Sequence, residues 1–169
     1  MHVAELSAQD ASRYRSLMLH AYEHAADAFT STAEERAAEP ESWWLERIGG
    51  PHGRKVAFGA FDGSELVGTV ALEYSHKPKT LHRALVIGMY VLPGSRSSGV
   101  GRALLDAACR HALARPGMRT MVLTVTEGNA PAIALYRSFG FQPVGTEPMA
   151  ILTPSGYKAK LHMWKNLRA

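Results

Sequence analysis

The chain has 169 residues, 46% of them hydrophobic, a length that suits one domain over residues 1–169 and an apolar content that excludes a disordered or collagen-like protein. The net charge of +4 hides a split. Residues 1–50 carry nine acids and four Lys or Arg, whereas residues 51–169 carry six acids and fifteen Lys or Arg. Such asymmetry points to two electrostatic jobs on one domain.

The lone cysteine, Cys109, cannot close an internal disulfide, and no run of about 18 apolar residues offers a membrane span. Met1-His2-Val3-Ala4-Glu5 lacks the basic start and apolar stretch of a signal peptide. A cytoplasmic protein without membrane contact is expected.

In chain order, residues 2–6 read as a short strand, and Ser7 reads as the cap of a helix running to about residue 26. Tyr14, Leu17, Met18, Ala21 and Ala25 form its apolar stripe. Residues 30–49 suggest one or two short helices broken by Pro40, with Trp43, Trp44 and Ile48 as anchors. Strands at 56–61 and 66–74 flank the turn Asp62-Gly63-Ser64. Residues 84–92 are almost wholly apolar and read as a central strand covered on both faces. A helix over 99–114, a buried strand over 121–125 and a helix over 129–139 follow, the last closed by Gly140. Strands at 141–144 and 157–167 complete the chain. The order gives one βαβ crossover inside a mixed sheet, an α+β or α/β sandwich.

The segment Met89-Tyr90-Val91-Leu92-Pro93-Gly94-Ser95-Arg96-Ser97-Ser98-Gly99-Val100-Gly101-Arg102 carries most information. A strand ends, a Gly/Ser loop follows, and a helix begins with free N–H groups and a partial positive charge. Gly99 and Gly101 leave those donors uncovered, and Arg96 and Arg102 add full charges, which makes an anion site. A P-loop is excluded because Val100-Gly101 stands where Lys-Ser/Thr is required. A dinucleotide fingerprint is weak, since Leu104 replaces its third glycine.

Arg96-x-x-Gly99-x-Gly101 resembles the acetyl-CoA loop of the GNAT superfamily of N-acetyltransferases. Ser97 departs from the glycine that many relatives have after the Arg or Gln. A second run, Asn129-x-x-Ala132-x-x-Leu135-Tyr136-x-x-x-Gly140-Phe141, fills every fixed position of the second signature of that family. Asn129 and Tyr136 are two helical turns apart and share a face, with small Ala132 between them. The resemblance is specific over about residues 84–141.

The resemblance implies a mixed, mostly antiparallel sheet of six or seven strands with splayed central parallel strands and about four helices. It implies acetyl transfer from acetyl-CoA to a primary amine: a small cationic amine, an amino acid or a peptide N-terminus. The pantetheine arm would pair with backbone groups of Met89 and Val91, beside Tyr90. A backbone N–H near Val91 or Leu92 would polarise the thioester. Arg96, Ser97, Ser98, Gly99, Val100, Gly101 and Arg102 would hold the phosphates, with Asn129 and Ala132 lining the arm. Tyr136 would protonate the departing thiolate as general acid. A longer acyl-CoA donor or a non-catalytic CoA-binding module are the alternative readings, and a homodimer is the assembly the resemblance suggests.

The central strand holds no carboxylate to take the amine's proton. Glu73 is the first candidate base, with His76 and Glu127 behind it, and an acceptor of low pKa needs none. His20-Ala-Tyr-Glu23-His24 matches a metalloprotease pattern, but no third ligand is suggested, so no metal is expected and the histidines read as surface residues. Nucleic-acid binding is not expected either, because the basic excess serves the polyanionic CoA. The acids of the first fifty residues, Glu34, Glu35, Glu39, Glu41 and Glu46, suggest an acidic lip favouring a cationic amine.

Overall fold

The computed structural model describes residues 1–50 and 52–169. Its strands are β1 (His2–Glu5), β2 (Lys55–Asp62), β3 (Glu65–Tyr74), β4 (Arg83–Val91), β5 (Thr120–Thr126), β6 (Gln142–Thr153) and β7 (Gly156–Asn166). Its helices are α1 (Ala11–His24), α2 (Ala33–Ala37), α3 (Glu41–Arg47), α4 (Val100–Ala114) and α5 (Ala130–Ser138). The strands form one sheet in the order β1-β2-β3-β4-β5-β7-β6, antiparallel throughout except between β4 and β5. A parallel pair needs a crossover, and α4 supplies it.

The described residues hold five helices, in keeping with the expected four or so. Thr32 and Glu35 cap α2 reciprocally, the Thr32 N–H donating to the Glu35 carboxylate at 2.8 Å and the Glu35 N–H to the Thr32 hydroxyl at 3.1 Å. Pro40 then separates it from α3. The helix expected from Ser7 begins as a short 3-10 turn over Ala8–Asp10, which leads into α1.

The sheet is covered on both faces because β2 and β3 alternate their apolar side chains. Val56, Phe58, Val70 and Leu72 pack with Leu104, Leu105 and Met121 on the α4 side. Ala57, Phe61, Leu66 and Ala71 pack with Tyr14, Met18, Trp44 and Ile48 on the side of α1 and α3. Each fully buried Leu or Met of this kind stabilises the fold by about 1.5–3 kcal/mol.

Two expectations need correction. Residues 84–92 are not buried on both faces: Leu85 is exposed, and 87–89, 91 and 92 are half-buried. β4 pairs with β5 at only three positions, Arg83 with Thr120, Ala84 with Met121 and Leu85 with Val122, after which the strands part and leave 87–89 partly uncovered. The strand expected over 141–144 is the twelve-residue β6. Pro143, Gly145 and Pro148 disguise it in the sequence; it tolerates them because it is an edge strand with register shifts at 143–145 and 147–151.

A bulge in β4 sets the geometry of everything that follows. Ala71 pairs with Ile87 and Thr69 with Tyr90, so β4 carries one residue more than β3 over this stretch. Gly88 absorbs it with φ of +61°, a conformation that costs an L side chain about 1–2 kcal/mol. The extra residue resets the alternation: Val86 and Met89 face α4, whereas Ile87 and Tyr90 face α1.

Candidate functional site

The parting of β4 and β5 opens a wedge that holds two adjoining cavities. They share Ala28, Met89, Asn129, Ala132 and Tyr136 as walls.

The first, about 580 Å³, is a groove that runs from the start of α4 to α5. Met89, Tyr90 and Val91 form its β4 wall, and Arg96, Ser97, Gly99, Val100, Gly101 and Arg102 its loop end. Asn129, Ala132 and Tyr136 close it from α5. Every groove residue expected from the sequence is therefore brought together except Ser98, whose hydroxyl turns back to donate to the Ser95 carbonyl at 2.7 Å.

The loop is shaped to expose donors. Gly99 caps α4 in the left-handed region at φ of +83°, which leaves the N–H groups of the first helical turn without intrahelical acceptors. Ser97 is also left-handed, at φ of +63°, which explains why glycine suits that position better. Gly101 has a second reason to be small, since a Cβ there would lie 3.2 Å from Leu135 Cδ2 and 3.4 Å from Met89 Cε. Arg96 Nε–H donates to the Val91 carbonyl at 3.0 Å, and Arg102 Nη2–H to the Ser138 hydroxyl at 3.3 Å. Free helix N–H groups, uncovered glycines and two guanidinium groups are the donor set that a diphosphate needs, so these residues fit the phosphate end of CoA.

The Leu92 N–H donates to the Val67 carbonyl at 2.9 Å and so belongs to the β3 ladder, which withdraws Leu92 as a thioester donor. By alternation, the groups of Val91 face the open wedge. On α5, Asn129 Oδ1 accepts from the Ala132 N–H at 3.4 Å, which commits its oxygen to the cap and frees its amide N–H groups. Tyr136 is 6% exposed and stacks edge-on against Phe141 at 5.9 Å. Burial pushes its phenol up to about 12, so it holds its proton throughout the neutral range.

The second cavity, about 250 Å³, lies between β4, β5 and the segment around residues 22–36. Phe29, Val86, Ile87 and Val125 supply apolar walls, and Arg36, Arg47 and Lys160 supply charge. Arg36 and Arg47 both lie over Trp43, their guanidinium carbons 4.4 and 5.4 Å from its ring centroid. Lys160 Nζ donates to the Thr30 hydroxyl at 2.6 Å. Beneath the bulge, the buried Tyr14 phenol has its pKa raised by desolvation, an effect opposed by the Arg47 charge. None of these cations was marked by a motif. The available signal is that Arg36 and Arg47 are the cations flanking the Trp43-Trp44 pair in an otherwise acidic stretch.

The candidate bases are not brought here. Glu73 pairs with Lys55 and Leu85, at the end of the β3–β4 ladder remote from Val91, and lines neither cavity. His76 is exposed beyond β3. Glu127 Oε1 accepts from the Ala159 N–H at 2.8 Å and, with Asp27, lines an adjoining recess that shares Ala28 and Asn129 with both cavities. The acidic lip is also corrected. Glu35 is spent on capping α2 and Glu39 lies 3.6 Å from Arg36, while Glu46 borders a different hollow. Among the described residues, neither cavity has a carboxylate or histidine in its lining. His20 and His24 stack at 4.1 Å, and His20 hydrogen-bonds the Tyr90 phenol at 3.0 Å, so His20 braces the groove wall rather than standing free at the surface.

Fold and site together define a GNAT-type architecture. The model of the Acetyltransferase (GNAT) family matches residues 18–141, and the chain belongs to that family. Mycothiol acetyltransferase of Streptomyces scabiei is 34% identical over 116 residues, covering 69% of this chain and 33% of that protein. The L-amino acid N-acetyltransferase of Escherichia coli is 30% identical over 103 residues, 61% of this chain and 62% of the relative. The chain thus spans about a third of the length of the mycothiol enzyme. An acetyltransferase fold from Salmonella typhimurium, solved with its cofactor acetyl-CoA, superposes with a TM-score of 0.80 at 20% identity, covering 99% of this chain and 94% of that one.

Proposed function

We propose that residues 1–169 act as one domain that moves an acetyl group from acetyl-CoA to a primary amine by direct attack, with Tyr136 as proton donor. The observation that carries this reading is the meeting of two chemically different cavities at one buried phenol. The acetyl-transfer names of the mycothiol and L-amino acid relatives support it.

Acetyl-CoA supplies the acyl group as a thioester, whose C–S bond breaks as the C–N bond to the amine forms. The start of α4, with Arg96 and Arg102, binds the phosphates and fixes the register of the arm. The Val91 N–H donates to the carbonyl oxygen as charge gathers there. Tyr136 gives its proton to the leaving sulfur, and the proton that the nitrogen loses as the amide forms returns through water to the phenolate. A cysteine-type thiol titrates near 8.5, well below the buried phenol, so the transfer is uphill for a solvated sulfur. The same desolvation that raises Tyr136 also raises the sulfur's proton affinity, which narrows that gap.

The amine must arrive unprotonated, because no carboxylate or histidine lines the cavities among the described residues. Arg36, Arg47 and Lys160 disfavour a second cation beside them, which lowers the pKa of a docked ammonium and does part of a base's work.

The test is thiol release from acetyl-CoA against a panel of amines, amino acids and N-terminal peptides. Turnover with one class of acceptor is expected, together with a rise in Tm on adding acetyl-CoA. The absence of both a Tm rise and acetyl-CoA consumption would overturn the reading.

A further inference from the structure

The lining of the smaller cavity is strongly one-signed. Arg36, Arg47 and Lys160 face a space of about 250 Å³ whose lining holds no carboxylate among the described residues. Two of these charges are partly answered within the protein: Arg36 Nη1 lies 3.6 Å from Glu39 Oε1, and Lys160 bonds to Thr30. Arg47 forms no ion pair among the described residues. The Nε atoms of both arginines are buried without a hydrogen-bond partner, as is the Tyr14 hydroxyl. Those atoms are shut off from the cavity, and the Tyr14 phenol lies within reach of the Arg47 guanidinium, so what the two arginines offer a ligand there is their charge and their Nη groups.

We infer that the acceptor of acetyl transfer carries a carboxylate beside its amine, and that Arg36 and Arg47 hold it: the substrate class is a free α-amino acid with an apolar side chain. This rests on the acetyl-transfer reading and names its substrate. A planar guanidinium fork matches a carboxylate in two parallel hydrogen bonds, which a lysine or a backbone donor does not provide. Trp43 fixes both forks by lying against them, so the pair is preorganised rather than recruited from solvent. The bulge brings the strand close to that charge: a Cβ on Gly88 would lie 3.8 Å from Arg47 Nη2, so the guanidinium sits against bare backbone. Tyr136 closes the cavity on the groove side, which sets the reacting amine between the carboxylate clamp and the phenol. Phe29, Val86, Ile87 and Val125 leave apolar surface for the side chain and exclude a long polycation.

The assay compares L-leucine, L-methionine and L-phenylalanine, each beside its carboxamide and its decarboxylated amine, with acetyl-CoA at saturation. The free acids are expected to exceed their carboxamides in kcat/KM by about 30-fold or more, the effect of leaving a buried charged donor unpaired. Arg36→Gln and Arg47→Gln should each shrink that ratio at least tenfold through the KM of the acid; the wild-type comparison stands if either variant fails to fold. Calorimetric titration of the same acids and amides into the CoA-bound protein gives a readout independent of turnover. Acids that bind but are not acetylated would overturn the transfer reading and uphold the carboxylate clamp. Carboxamides turned over as well as acids would uphold transfer and overturn the clamp. Preference for O-phosphoethanolamine, or neither binding nor turnover of any acid, would also overturn it.

Discussion

The groove beside α4 draws its binding groups from backbone and from missing side chains, whereas the cavity beneath the bulge draws them from three long cationic side chains. In the groove, Gly99 and Gly101 act by being small, and the donors are the N–H groups that any helix leaves free at its start. In the cavity, Arg36, Arg47 and Lys160 come from α2, α3 and β7, and their positions depend on Trp43 and Thr30. Backbone sites tolerate sequence drift around a few fixed glycines. Side-chain sites change specificity with a single substitution. One fold can thus keep its acyl donor while exchanging its acceptor.

Tyr136 belongs to both regions, so its removal should have the largest effect. Tyr136→Phe is expected to lower kcat about 100-fold, the low end of a general acid's contribution, with KM for acetyl-CoA within twofold. Weakened CoA binding instead would make the residue structural. Because burial holds the wild-type phenol near 12, its proton is lost only as pH rises through that value. A kcat profile flat from about pH 8 to 10 is the expected result, and an alkaline fall near pH 9 would assign the proton to another group.

Gly101→Val tests the groove alone. Its methyl groups would crowd Leu135 and Met89, and overpacking of about 1–3 kcal/mol corresponds to roughly tenfold or greater loss of acetyl-CoA affinity. Amino-acid binding to the smaller cavity should be unchanged. Gly88→Ala probes the boundary between the regions. The left-handed φ should cost about 1–2 kcal/mol of stability, read as a lower Tm, and the acceptor KM should rise more than the acetyl-CoA KM. The smallest effect runs the other way: Ser97→Gly should relieve a left-handed serine and raise stability by about 0.5–1 kcal/mol, with slightly tighter acetyl-CoA binding.

The groove was legible before the fold because its parts are contiguous. Arg96 to Arg102 and Asn129 to Tyr136 are short runs in which glycine, cap and helix period carry local meaning. The cavity was not, because Arg36 and Arg47 belong to no motif and Lys160, more than a hundred residues away, reaches them only when β7 inserts between β5 and β6. Glu73, ranked first as base from its place at the end of the strand before β4, lies at the end of the β3–β4 ladder remote from Val91, a position that only the strand register reveals. The bulge at Gly88 was equally hidden, since a glycine in an apolar run reads as a small residue until the partner strand is counted against it.

The outer margin of the sheet follows its own logic. β6 leaves one side of its backbone without a neighbouring strand, and Val144, Met149 and Leu152 add exposed apolar surface along it. Such a margin invites an incoming chain to zip on. Pro143 and Pro148 remove two of the N–H groups that a zipper would use, and the kink at Met149, with φ of +49°, throws the rungs out of step. The residues that concealed this strand in the sequence thus act as its gatekeepers: they keep a twelve-residue ribbon from becoming a template for fibrous growth.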